Sequence, residues 1–440
     1  MTLELDDIQH ILLTRTPAIT GRYEFLTFDT AAGGRAWLTA LLDRVQSAAD
    51  VRATVDAADR WVTVAFTWTG LRALGVPEDA LASFPDAFRE GMAARADILG
   101  DTGDNAPAHW GGGLAGPDLH AIAILFARTD EQCRASITEH DRLLARTDGV
   151  RSLSHLDLNA TPPFDYAHDH FGFRDRLSQP VMKGSGEEPT PGSGPPLEPG
   201  EFILGYPDED GPAPPLPQPD VLSRNGSYLA YRRLREHVGA FRDFLRAHAD
   251  TPDGQELLAA KFMGRWRSGA PLVLSPDRDD PELGADPLRN NDFGYKEQDP
   301  FGYACPLGSH ARRLNPRDTA ANINRRRMIR RGATYGPALP ADAPDDGADR
   351  GIAAFIICAN LVRQFEFAQN VWINDESFHE LGNEHDPIVG SQDGSLDFTV
   401  PKRPIRTVYR GLPAFTTVTG GAYFFLPGLT GLRYLASLHT

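Results

Sequence analysis

Ala121-Ile-Ala-Ile-Leu-Phe-Ala127 is a continuous apolar run, and the chain on either side of it decides the fold. Its length and its bounding polar residues read as a buried strand. Residues 130–146 follow as a charged amphipathic helix, and 150–158 read as the next strand. Working back, Val62, Val64 and Phe66 alternate with Thr63, Ala65 and Thr67, the period of a half-buried strand. Trp37, Leu38, Leu41, Leu42 and Val45 fall on one helix face, and the aromatics Tyr23, Phe25 and Phe28 mark a strand before it. Residues 8–14 read as one more short strand. A polar insertion covers roughly 70–118, with a short helix near Leu71 to Leu74 and a Trp110-Gly-Gly-Gly loop. Without the insertion and the first short strand, the order is β-α-β-β-α-β, the ferredoxin-like arrangement of an antiparallel sheet with helices on one face.

Working forward, residues 183–222 are rich in Pro, Gly, Glu and Asp and read as a long loop region. The order then repeats loosely. A strand is expected over 228–234, and Val238, Phe241, Phe244 and Leu245 mark a helix. A long irregular stretch follows. The chain then gives a strand over 352–359, a helix over 362–373, and two late strand runs at 415–418 and 423–426, separated by Gly420 and Gly421. The expectation is an α+β protein of two ferredoxin-like domains, at 1–170 and 223–440, joined by a loop segment at 171–222. No residue-level internal repeat accompanies the repeated order.

The chain has 440 residues, 44 basic and 60 acidic, for a net charge of −16. That balance argues against nucleic acid as the main partner. The three cysteines, Cys133, Cys305 and Cys358, are widely spaced and form no zinc or disulfide pattern, which suits a reducing compartment. The acidic start, Met1-Thr-Leu-Glu-Leu-Asp-Asp, shows no export signal, so a cytoplasmic location is expected. No apolar run approaches the ~20 residues of a membrane span. Oligomeric state is not legible.

Against that acidic background stands an arginine island. His310 precedes Arg312, Arg313 and Arg317, and arginines follow at 325, 326, 327, 330 and 331. Arginine forks grip carboxylates or phosphates. A histidine among them suits a metal-bearing ligand with acidic side groups, such as haem, and equally a loop histidine beside an ion-pair network. A second constellation is His170-Phe-Gly-Phe-Arg-Asp-Arg-Leu-Ser-Gln-Pro180, with Asp175 between Arg174 and Arg176. A carboxylate so placed suits a base for an acidic proton or a structural ion pair.

Residues 170–180 resemble the Gly-x-x-Asp-Gly motif of the dye-decolorizing peroxidases, a haem peroxidase family. Also similar are Gly308-Ser-His-Ala-Arg-Arg-Leu-Asn-Pro-Arg-Asp, Arg330-Arg-Gly-Ala-Thr-Tyr-Gly, Arg363-Gln-Phe-Glu-Phe with Trp372, and Gly420-Gly-Ala-Tyr-Phe-Phe-Leu-Pro427. The resemblance covers nearly the whole chain and is nearest to the longer, extended-loop members. It implies a dimeric α+β barrel-like fold with haem b in the C-terminal half, and hydrogen peroxide and an organic electron donor, dyes or phenols, as substrates. It implies that His310 is the proximal iron ligand, Asp175 the distal acid/base, and Arg330, or its neighbour Arg331, the distal arginine. Asp397, with Asp393 close by, is the implied carboxylate on the far nitrogen of His310, and Arg312 or Arg317 the implied propionate holder. A carboxyl base titrates below an imidazole, so an acidic activity optimum follows.

One departure stands out: the second glycine of the motif is Arg176 here. It opens an alternative, a haem-binding protein with impaired peroxidase turnover. A third reading has no haem and makes the arginine island a site for an anionic metabolite or a partner protein.

Overall fold

The computed structural model describes residues 2–14, 20–54, 58–159, 168–175 and 177–438. Its first half runs β1 (Thr20–Phe28), α1 (Ala31–Leu41), β2 (Arg60–Phe66), β3 (Ala121–Ala127), α2 (Asp130–Arg146) and β4 (Val150–Asn159). The hydroxyls of Thr30 and Thr129 cap the two helices, accepting N–H bonds from Gly33 and Gln132. Trp37, Leu38 and Leu41 of α1 are buried on the sheet beside Leu26 and Phe28. The strands lie antiparallel in the order β4-β1-β3-β2.

The second half repeats this with β5 (Ser227–Glu236), α3 (Val238–His248), β6 (Ile329–Tyr335), β7 (Gly351–Cys358), a helix over 362–373 and β8 (Thr416–Leu426), in the order β8-β5-β7-β6. Both halves therefore have the same ferredoxin-like topology, and the α+β expectation holds. The two sheets are continuous: β2 and β8 meet in one eight-stranded sheet. That joint is narrow, a single pair between Phe66 and Phe425. The Gln9 side chain extends it. Its amide donates to the carbonyls of Val64 and Pro427, both at 2.9 Å, and accepts the Val64 N–H at 3.1 Å. The sheet curls until its edge strands β4 and β6 touch. Tyr23, Phe25, Ile122, Tyr231, Phe355 and Phe424 fill the inside. The helices pack outside.

Several expectations are corrected. Residues 8–14 are not a strand; His10–Leu12 is a helical turn that lets Gln9 reach both sheets. The two late strand runs are one strand, β8, with an irregularity between Val418 and Gly420. The stretch read as irregular contains a helix, α4 (Pro252–Met263), and the strand β6. The helix over 362–373 is wound in wider, π-type turns.

Candidate active site

His310 opens a short helix, α5 (His310–Leu314), whose N-cap Ser309 donates its hydroxyl to the Lys261 carbonyl of α4 at 2.5 Å. The His310 Nδ1 lies 2.9 Å from Asp386 Oδ2. A buried carboxylate only accepts there, so Nδ1 carries the proton and Nε2 is bare. Asp386 is wholly buried, and its other oxygen accepts the N–H groups of Ile388 and Val389 at 2.8 and 3.0 Å. Burial by itself would push its pKa up. The attraction of His310 and the two amides outweigh burial and hold it below the usual carboxylate value.

Asp386 thus occupies the place expected of Asp397. Asp397 instead accepts from the exposed Arg410 at 3.1 Å, and Asp393 closes a turn on Ser395. Arg312 is corrected too. It is buried against Asp299 and the Cys305 carbonyl, over the Tyr295 ring at 4.3 Å, and does not border the cavity next to His310. On a helix, residues two apart point away from each other, so His310 and Arg312 cannot share a target.

His310 borders a cavity of about 390 Å³ with Asp175, Arg317, Arg327 and Arg330. Apolar side chains, among them Met263, Leu314, Phe365, Ile373 and Val389, make up much of its wall. Both arginines of β6 border the cavity, but strand alternation gives them different partners. Arg330 is half-buried near Asp175, whose charge acts on it, and donates to the Leu177 carbonyl at 2.8 Å. Arg331 donates to the carbonyls of Ile11 and Leu12 at 3.0 and 3.5 Å. Arg317, at φ 51°, spends its donors on the carbonyls of Gly192, Asn291 and Phe293. Arg176 lies outside the described residues.

Sequence reasoning gave Arg327 no role, yet it lies on this wall. Burial, then repulsion from Arg330 and Arg317, pushes its pKa down to about 10. Among the described residues nothing hydrogen-bonds its guanidinium. Three crowded guanidiniums facing one cavity, with Asp175 as their carboxylate neighbour there, lack negative charge. An iron porphyrin fits this arrangement: a bare imidazole nitrogen for the metal, apolar walls for the ring, and unspent positive charge for its carboxylates.

Fold and site together define a two-part α+β barrel with an imidazole–carboxylate pair under a basic-rimmed cavity. The family model described as the DyP dimeric alpha+beta barrel domain matches residues 7–156. A dye-decolorizing peroxidase of Mycena epipterygia is 31% identical, covering 99% of this chain and 87% of its own length. One from Exidia glandulosa is 32% identical over 98% and 87%. Among solved structures, an ancestral D-type dye decolorizing peroxidase superposes with a TM-score of 0.87 at 29% identity, covering 100% of both chains. A dye-decolorizing peroxidase in complex with 2,6-dimethoxyphenol gives 0.87 at 28% identity, covering 99% of this chain and 100% of the other. The chain belongs to the dye-decolorizing peroxidase family. It is a haem peroxidase, an oxidoreductase acting on peroxide as electron acceptor. Among the described residues no helix is long and apolar enough to cross a membrane.

Proposed function

We propose that this chain binds haem b through His310 Nε2 and reduces hydrogen peroxide with Asp175 as the acid/base. The observation that carries this reading is the Asp386-bound imidazole bordering the same cavity as Asp175 and Arg330. Bound there, the haem supplies the iron at which peroxide is reduced and the store of oxidising power for the organic donor. Asp386, as an anionic partner on Nδ1, makes Nε2 a stronger donor to the metal. Asp175 takes the proton from the near oxygen of peroxide and returns it to the departing oxygen as water, a task worth roughly 10²–10⁴-fold. Arg330, on which the charge of Asp175 acts, stabilises the negative charge that develops as the O–O bond breaks. Arg317 and Arg327 are the cations best placed for the propionates, with Arg327 the freer of the two. The organic donor is a phenol or dye, as the 2,6-dimethoxyphenol complex of the relative indicates. Three free, buried cysteines suit a reducing compartment such as the cytoplasm.

Arg176 in place of the motif glycine favours a second reading, haem binding with impaired turnover. Absorbance spectra of the purified protein, with haemin added and then one equivalent of peroxide, decide between them. A Soret band that changes rapidly with peroxide, and slowly in Asp175→Asn and Arg330→Leu, supports the peroxidase reading. A Soret band inert to peroxide and restored to reactivity by Arg176→Gly supports the second. No Soret band rejects both.

A further inference from the structure

Two carboxyls hold the loop that carries Asp175. Asp169 Oδ1 accepts the Phe173 N–H at 2.7 Å. The Asp169 carbonyl accepts the Gly172 N–H, and its own N–H donates to the Phe173 carbonyl, both at 3.0 Å. Gly172 turns the chain at φ 92°, a conformation that favours glycine. Glu236, at the end of β5, accepts the His170 N–H at 3.0 Å. The segment from 169 to 173 is thus pinned through its backbone amides just before Asp175.

Both carboxyls are buried, Asp169 to 8% exposure and Glu236 to 6%, and among the described residues neither forms an ion pair. Asp169 also borders the cavity. The charged and titratable groups around them offer little relief. Arg267 acts on Asp169 but is bonded to Glu256 at 2.7 Å. Arg350 lies toward His170 and is bound to Asp346. The His170 ring meets the Tyr335 carbonyl at 2.8 Å, and the His237 ring meets Thr417 at 2.8 Å. Arg330 acts on Asp175. Asp175 adds its own negative charge to both carboxyls. Burial pushes the pKa of both groups up: that of Asp169 against its amide bonds and Arg267, that of Glu236 with the charge of Asp169 adding to it.

We infer that Asp169 and Glu236 clamp the Asp175 loop by its backbone amides, making Asp169 a positioning residue for the Asp175 carboxyl. The inference rests on the acid/base reading of Asp175.

Stopped-flow rates of peroxide reaction in the full-length, haem-loaded protein test this. Asp169→Asn should react nearly as fast as the parent. Asp169→Asn keeps an oxygen for the Phe173 amide, whereas Asp169→Ala removes it. The alanine variant should react with peroxide on the order of 10- to 100-fold more slowly, with KM for the organic donor unmoved. A wild-type rate in that variant overturns the clamp. If Asp175→Asn reacts with peroxide at the wild-type rate, the acid/base reading fails; a wild-type rate in Asp169→Ala beside a slow Asp175→Asn rejects the clamp alone.

Discussion

The His310–Asp386 contact is a hydrogen bond across a loop, 2.9 Å long and shielded from water at the carboxylate end. Removing the charge of Asp386 while keeping its shape should weaken haem binding roughly 10- to 100-fold, the usual effect of losing such a partner. A haemin titration of Asp386→Asn measures it. Asp397→Asn serves as the control and should bind haem as the parent does, because Asp397 touches Arg410 instead. Equal loss in both variants would reject Asp386 as the partner. The sequence carried no signal for this choice. Asp386, Asp393 and Asp397 all lie within a short span, and only the path of the loop back from Ile373 brings the first of them under His310. The separation of Arg330 from Arg331 was likewise undecided until β6 was seen to be a strand.

At the scale of elements, helix α2 packs against α1 through His140, which is 1% exposed and accepts the Trp37 indole N–H at Nε2, 3.1 Å away. Burial, then the positive charges of Arg44 and Arg22, lowers its pKa to about 4. The unfolded chain binds that proton near pH 6.5 while the folded one does not, so stability falls as pH drops from about 6.5 to 4, by up to about 3 kcal/mol. Urea unfolding at a series of pH values should show this slope, and His140→Gln should flatten it. An unchanged slope would show that His140 is not its source. A second prediction concerns β7. A Cβ on Gly351 would stand 1.9 Å from the Leu234 carbonyl oxygen of β5. Gly351→Ala must therefore part the two strands, at a cost of roughly 1–3 kcal/mol. Thermal unfolding followed by circular dichroism reads the loss. Because β6 hangs on β7, haem uptake should fall with it; a fully stable, haem-replete variant would contradict the register.

For the whole molecule, the joint between the halves has little backbone bonding and a large shared interior. Tyr23 of β1 packs edge-on to Tyr231 of β5 and Phe355 of β7, with ring centroids 5.9 and 5.0 Å apart. The protein should therefore unfold in a single transition rather than half by half. Gln9→Leu strips partners from the buried Val64 amide group and the Pro427 carbonyl, each unsatisfied group costing about 1–3 kcal/mol. It should lower that transition without splitting it. Two resolved transitions in calorimetry, in the parent or the variant, would show that the halves are independent.

Local periodicity was enough for the β-α-β-β-α-β order of the first half and for all but one strand of the second, because each strand and helix buries one face and must repeat its apolar residues to do so. Residue chemistry likewise marked His310, Asp175 and the arginine island. Periodicity missed β6, because that strand carries arginines where a core strand would carry apolar side chains: both border the cavity, and the second also reaches the carbonyls of Ile11 and Leu12. Tertiary structure alone decided which carboxylate backs the imidazole, which arginine faces Asp175, and that Arg312 serves the fold while Arg327 faces the cavity. Those choices depend on distances between segments far apart in the chain, and a side chain's direction is set by what its backbone packs against.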